Sequence, residues 1–221
     1  MYYFDHSATT PVHSEVSELM DSIQSTIYGN PSSIYSAGQK AKSVIENARR
    51  QIADSISVEP EQIIFTSGGT ESNNQVIWCM LQNQKKHVVS NDIEHPAIIK
   101  VLEFLKPLGL DHTLIKVNSD GIVPSKNVIK AINPQTSLIS LMLANNEIGS
   151  IQPVKAVVDI AYENNIMVHS DAVQCMGKME LDITSLGVDF LSLSAHKFYG
   201  PKGIGILYVK EPKNISSLII G

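Results

Sequence analysis

From residue 62 onward the chain alternates short, nearly continuous apolar runs with stretches of helical spacing. This alternation restricts the fold more than any other feature. Apolar runs of strand length without polar interruption suit strands covered on both faces, and crossover helices supply that cover. The predicted strands are 62–66, 87–90, 112–117, 137–143, 166–170, 190–194 and 205–209. Helical spacing predicts helices over 70–81, 96–105, 125–132 and 153–164 between them. Pro96 opens one of these, at a position where its missing N–H costs nothing. The last strand follows its predecessor after a short loop with no helix, so it is expected to run antiparallel. Upstream, 11–25 and 37–56 read as two more helices joined by the turn-rich Tyr28-Gly29-Asn30-Pro31-Ser32-Ser33. The expected architecture is α/β: a seven-stranded, mostly parallel sheet with helices on both faces and one antiparallel strand.

Two strands carry chemistry at their ends. The run 166–170 stops at Asp171, and the run 190–193 leads into Ser194-Ala195-His196-Lys197. In open α/β sheets, ligands bind beyond the carboxyl ends of the strands. An acid ending an apolar strand is costly to bury without a partner. It could cap a helix, pair with a distant base, or pair with a cationic ring. An amine and a carboxylate on one rim match pyridoxal 5′-phosphate, which needs a Lys for its Schiff base and an Asp for its pyridinium nitrogen.

Other segments fall on the same rim. Ser67-Gly68-Gly69-Thr70 joins the first strand to a helix. It reads either as a phosphate cradle or as a plain turn capped by Thr70. Glu94-His95-Pro96 reads as a cap or as a ring stacked on a flat cofactor. Asn145-Asn146 reads as a ligand-facing amide pair or as a turn. His169 alternates with Val168 and is expected to be a packed, hydrogen-bonded histidine. Lys202 reads as a solvated loop lysine.

Composition removes other classes. The 221 residues are 43% hydrophobic and 18% charged, with 17 basic and 22 acidic residues giving a net charge of −5. The acidic balance argues against nucleic acid. No apolar run approaches a membrane span. The two cysteines, Cys79 and Cys175, have no metal spacing and imply no disulfide framework, so no metal site is expected. No leader pattern is visible at Met1-Tyr2-Tyr3-Phe4-Asp5, and the cytoplasm is the expected compartment.

Taken together, the chain resembles the cysteine desulfurases related to NifS and IscS, within the class V aminotransferase-like group of fold-type I pyridoxal phosphate enzymes. The motifs are Tyr3 to Pro11, Gly29 to Ser33, Thr66 to Asn74, Glu94-His95, Ala144 to Gly149 with Gln152-Pro153, His169 to Gln174 with Gly177-Lys178, and Ser194 to Gly205. The resemblance implies that Lys197 forms the Schiff base, Asp171 binds the pyridine nitrogen and His95 stacks on the ring. Gln174 then bonds the ring oxygen, and Asn145 lies near that oxygen and the substrate carboxylate. Gly69, Thr70, Ser194 and His196 hold the phosphate. Residues 8–10 and Asn30-Pro31 line the substrate side.

The implied reaction converts L-cysteine to L-alanine, with the sulfur leaving as an enzyme persulfide. Sulfur-acceptor proteins, either iron–sulfur scaffolds or tRNA thiolation factors, are the implied partners, and the full-length form is expected to be a homodimer. The implied domain organisation is an N-terminal segment, 1–14, lining the site, and a cofactor-binding large domain, 15–221. The C-terminal small domain, with its nucleophilic cysteine and substrate-binding arginine, is expected to be absent. Two alternatives follow: an inactive fragment that only binds cofactor or partners, and a selenocysteine lyase or another class V enzyme. Self-association through uncovered apolar surface is also expected.

Overall fold

The sheet runs in the order β1-β7-β6-β5-β4-β2-β3. Its strands are β1 (Ile63–Thr66), β2 (His87–Asn91), β3 (Asp111–Ile115), β4 (Thr136–Ser140), β5 (Met167–Asp171), β6 (Phe190–Ser194) and β7 (Gly205–Val209). This computed structural model describes residues 2–220. β2, β3, β4, β5 and β6 pair in parallel. β7 is antiparallel to both β6 and β1, so β1 points the same way as the parallel set. The expected architecture is therefore present, including its one antiparallel strand.

Helices cover both faces because the strands alternate. Val88, Leu138, Phe190 and Leu207 turn to one face. There they meet α3 (Gly69–Cys79) and α4 (Pro96–Leu105) through Val76, Ile77, Ile98 and Leu102. Val89, Ile139, Leu191 and Ile206 turn to the other. They meet α2 (Ser36–Ser55), α5 (Ser125–Ala131), α6 (Val154–Glu163) and the short α7 (Ile183–Leu186). α4 shows the local logic. His95 accepts the Ala97 N–H as its cap, Pro96 opens the first turn, and Ala97, Ile98, Val101, Leu102 and Leu105 form one buried face. Each such fully buried Leu stabilises the fold by roughly 1.5–3 kcal/mol.

Several boundaries differ from the sequence expectation. β4 ends at Ser140 although the apolar run continues, and past its end Leu141 and Leu143 still donate to the His169 and Asp171 carbonyls of β5. α7 has only four residues between its Asp182 cap and Gly187, too few for a period to show. Cys79, expected inside a helix, is the last residue of α3 and only half-buried.

The N-terminal region is built differently. α1 (Ser14–Thr26) has no buried residue. Its apolar positions Leu19 and Met20 face solvent. No helix among the described residues is long and apolar enough to cross a membrane.

Candidate active site

The C-terminal ends of β1, β2, β4, β5 and β6 meet at one rim, where a cavity of about 300 Å³ opens. Its walls follow the strand ends in turn: Gly69, Thr70 and Asn73 after β1, His95 after β2, Met142, Ala144 and Asn146 after β4. Asp171, Val173 and Gln174 follow from β5, and Ser194, His196 and Lys197 from β6. Ala8 closes the mouth from the N-terminal arm. Eight of the nine residues expected to bind the cofactor therefore line one cavity.

Asn145 does not. Its amide nitrogen donates to the Ile93 carbonyl at 2.9 Å, and its oxygen accepts from the N–H groups of Glu147 and Ile148. The side chain is consumed in shaping the 145–149 turn, and Asn146 reaches the cavity wall instead. Asn30 and Pro31 also lie outside the lining, on a turn packed against the start of α2, where Gly38 allows the Asn30 carbonyl to approach. His169 is the packed histidine expected, between the Ser140 and Ser192 hydroxyls, with burial pushing it down to about 3.

The Gly-rich turn brings backbone close to the cavity. A Cβ on Gly69 would sit 2.6 Å from Val173 Cγ2, and Gly68 has φ +154°. The first intrahelical bond of α3 runs from Ser72 N–H to the Gly68 carbonyl, so the N–H groups of Gly69 and Thr70 have no partner within the helix. Unpaired N–H groups at a helix start attract a phosphate.

Across the cavity, Asp171 is 6% exposed. Its two oxygens accept from Val173 N–H at 3.0 Å and Asn73 Nδ2 at 2.6 Å. Burial raises its pKa; these donors, with His95 and Lys197, oppose that rise. Lys197 Nζ donates to the carbonyls of Ser7 and Ala8 at 2.6 and 2.8 Å. Burial first, and then the Lys178 charge, lower its pKa. Gln174 also donates to the Ser7 carbonyl, and His196 bonds Thr9 while its carbonyl accepts from Thr10. The arm is thus moored to the rim by polar contacts. His95 Nδ1 is occupied as the cap of α4, which leaves Nε2 to carry the proton of the neutral ring.

Sequence reasoning missed Glu94 as a structural group. It is buried, its carboxylate accepts from Asn91 and from the Met142 N–H, and burial raises its pKa well above the usual range. It thereby fixes a cavity-lining segment. Neither cysteine lines the cavity: Cys175 is buried and pushed up to about 12, chiefly by burial, and Cys79 donates to the Asn214 carbonyl on another part of the surface.

This fold and rim define a class. Residues 2–221 match the family described as aminotransferase class-V, and the chain belongs to it. Pyridoxal 5′-phosphate is the cofactor of that family. The site fits it: unpaired N–H groups at one end, a buried carboxylate at the other, and a lysine amine beside them. Within the family, the chain is 45% identical over 222 residues to cysteine desulfurase IscS of Dictyoglomus turgidum, covering 99% of this chain and 56% of that protein. It is 44% identical to cysteine desulfurase IscS of Methanosarcina thermophila, covering 99% of this chain and 55% of the relative. Among solved structures, a NifS-like protein superposes with TM-score 0.96 at 39% identity, over 99% of this chain and 61% of its own. A structure titled SspA in complex with cysteine superposes with TM-score 0.93 at 38% identity, over 99% and 65%. The chain spans about half the length of the curated relatives it matches.

Proposed function

We propose that this chain is the cofactor-binding part of a cysteine desulfurase. The observation that carries the reading is the meeting of Lys197, Asp171 and the start of α3 in one cavity. The identity to named cysteine desulfurases, and the likeness to a structure holding cysteine, support the substrate. Bound pyridoxal phosphate supplies a ring that withdraws electrons from the substrate Cα.

The chain's own groups do the rest. Lys197 would hold the cofactor through its amine and, once released, would accept the Cα proton; burial shifts its pKa downward, the direction a general base needs. Asp171 would pair with the ring nitrogen and favour its protonated form. Gly69, Thr70, Ser194 and His196 would hold the phosphate, Gln174 would bond the ring oxygen, and His95 would stack on the ring. Asn145 acts by shaping its turn, with Asn146 presenting the amide. The sulfur of L-cysteine passes to a thiolate, which becomes a persulfide, while the substrate carbon gains a proton and leaves as L-alanine. Neither Cys79 nor Cys175 reaches the cavity, so the accepting thiol is supplied by the rest of the whole protein.

That protein works as a homodimer in the cytoplasm. Reducing conditions there keep the accepting cysteine a free thiol, and sulfur-acceptor proteins for iron–sulfur clusters or tRNA thiolation take the product. Residues 1–14 form the segment lining the site and 15–221 the large domain, a division supported by Ala8 at the cavity mouth. The test is to load the chain with pyridoxal phosphate, reduce with borohydride and map the label. Label on Lys197 is expected, and Lys197→Ala should lose it. Label on another lysine overturns the reading. Adding a thiol and L-cysteine or L-selenocysteine to the loaded chain then reads alanine release. A strong selenocysteine preference replaces the substrate assignment.

A further inference from the structure

Asp171 is held by two donors of different origin. The Val173 N–H lies two residues along its own turn, whereas Asn73 comes from α3, 98 residues earlier in the chain. The Asn73 contact is the shorter, at 2.6 Å, and Asn73 is only 1% exposed. Its other amide atom, Oδ1, is buried with no hydrogen-bond partner. A buried polar atom left unpaired lowers stability, so such a side chain is a poor choice for packing alone. Asn73 also lines the cavity, one helical turn beyond Thr70. One helix therefore reaches both the phosphate end and the carboxylate end of the site.

We propose that Asn73 is a positioning residue that holds Asp171 in the orientation and the ionised form needed to pair with a cationic ring nitrogen. This rests on the reading that pyridoxal phosphate occupies the cavity. The physical case is direct. A buried carboxylate favours its neutral form, and a neutral acid cannot pair with a pyridinium. An amide N–H donates to the ionised carboxylate and adds no net charge that would compete with the ring. It also restrains rotation of the carboxylate, leaving its remaining lone pairs fixed in direction.

The experiment compares two ligands on the ligand-free protein: pyridoxal phosphate, and a carbocyclic analogue with C–H in place of the ring nitrogen. Both carry the same aldehyde and phosphate, so the ratio of their dissociation constants isolates the nitrogen contact. Quenching of the single tryptophan, Trp78, which borders Thr70 and His95 in the adjoining groove, reports binding. The wild-type chain is expected to prefer pyridoxal phosphate. Asn73→Leu removes the donor at similar volume and should reduce that preference about tenfold, the size of one charge-assisted hydrogen bond. Asn73→Ala adds no bulk and suits a helix, so it carries the measurement where the leucine variant does not fold. General damage to the site weakens both ligands alike and leaves the ratio unchanged. A wild-type preference that both variants keep overturns the role of Asn73 alone. A wild-type chain that binds both ligands equally overturns the nitrogen contact and this inference, whereas one that binds neither overturns the cofactor reading.

Discussion

Tyr2 and Phe4 of the arm are each 90% exposed and Leu19 of α1 is 60% exposed, whereas Leu102 of α4 and Leu138 of β4 are fully buried. Both regions carry apolar residues at regular spacing. In the sheet region that spacing meets a facing layer, and burial holds the elements together. In the arm, attachment comes from hydrogen bonds to Lys197, Gln174 and His196. Each such bond contributes about 1 kcal/mol net, because water competes for the same groups. The comparison teaches that a periodic apolar stripe specifies a face and leaves its partner open. It also shows the rim acting as both cavity wall and mooring for the arm.

The largest expected effect lies in the sheet region. Leu102→Ala should destabilise the chain by about 2–5 kcal/mol, read from denaturant unfolding. A loss below about 1 kcal/mol would mean that the interior of α4 is no better packed than the arm, and the contrast would fail. Acid should come next. His169 titrates at about 3 when folded, against a reference of 6.5. The unfolded chain therefore binds more protons between those values, and stability falls as pH drops through that window, by up to about 1.4 kcal/mol per pH unit. Unfolding curves at a series of pH values should show this slope, and His169→Gln should flatten it. The smallest effect is expected in α1: Leu19→Ala should stay within about 0.5 kcal/mol of wild type. A larger loss would show that α1 has a partner in solution, which sedimentation at rising concentration would reveal as self-association.

Much of the sheet is legible in the order of the residues. Phe190–Ser194 and Gly205–Val209 are strands with the bounds their sequence suggests, because their apolar runs end at polar or glycine residues. Asp171 and Lys197 are legible as rim residues for the same reason. The α1 stripe is legible as a helix, but its exposure is not. Asn145 and Asn146 are adjacent and chemically identical, and only the turn's hydrogen bonds decide which one enters the cavity. Asn73 is readable as part of the Gly-rich motif, yet nothing local indicates its bond to Asp171.

The sequence by itself determined the order and kind of the seven strands and of the longer helices, to within a few residues at their ends, and hence which residues stand at the carboxyl-terminal rim. Alternation and turn chemistry act over a few residues, so a linear reading captures them. Only the tertiary structure decided which rim side chains converge, which amide is spent on a turn, and that the Ser7 and Ala8 carbonyls hold the Lys197 amine across 190 and 189 residues. Such partners are chosen by how the layers pack, and packing depends on the whole chain at once.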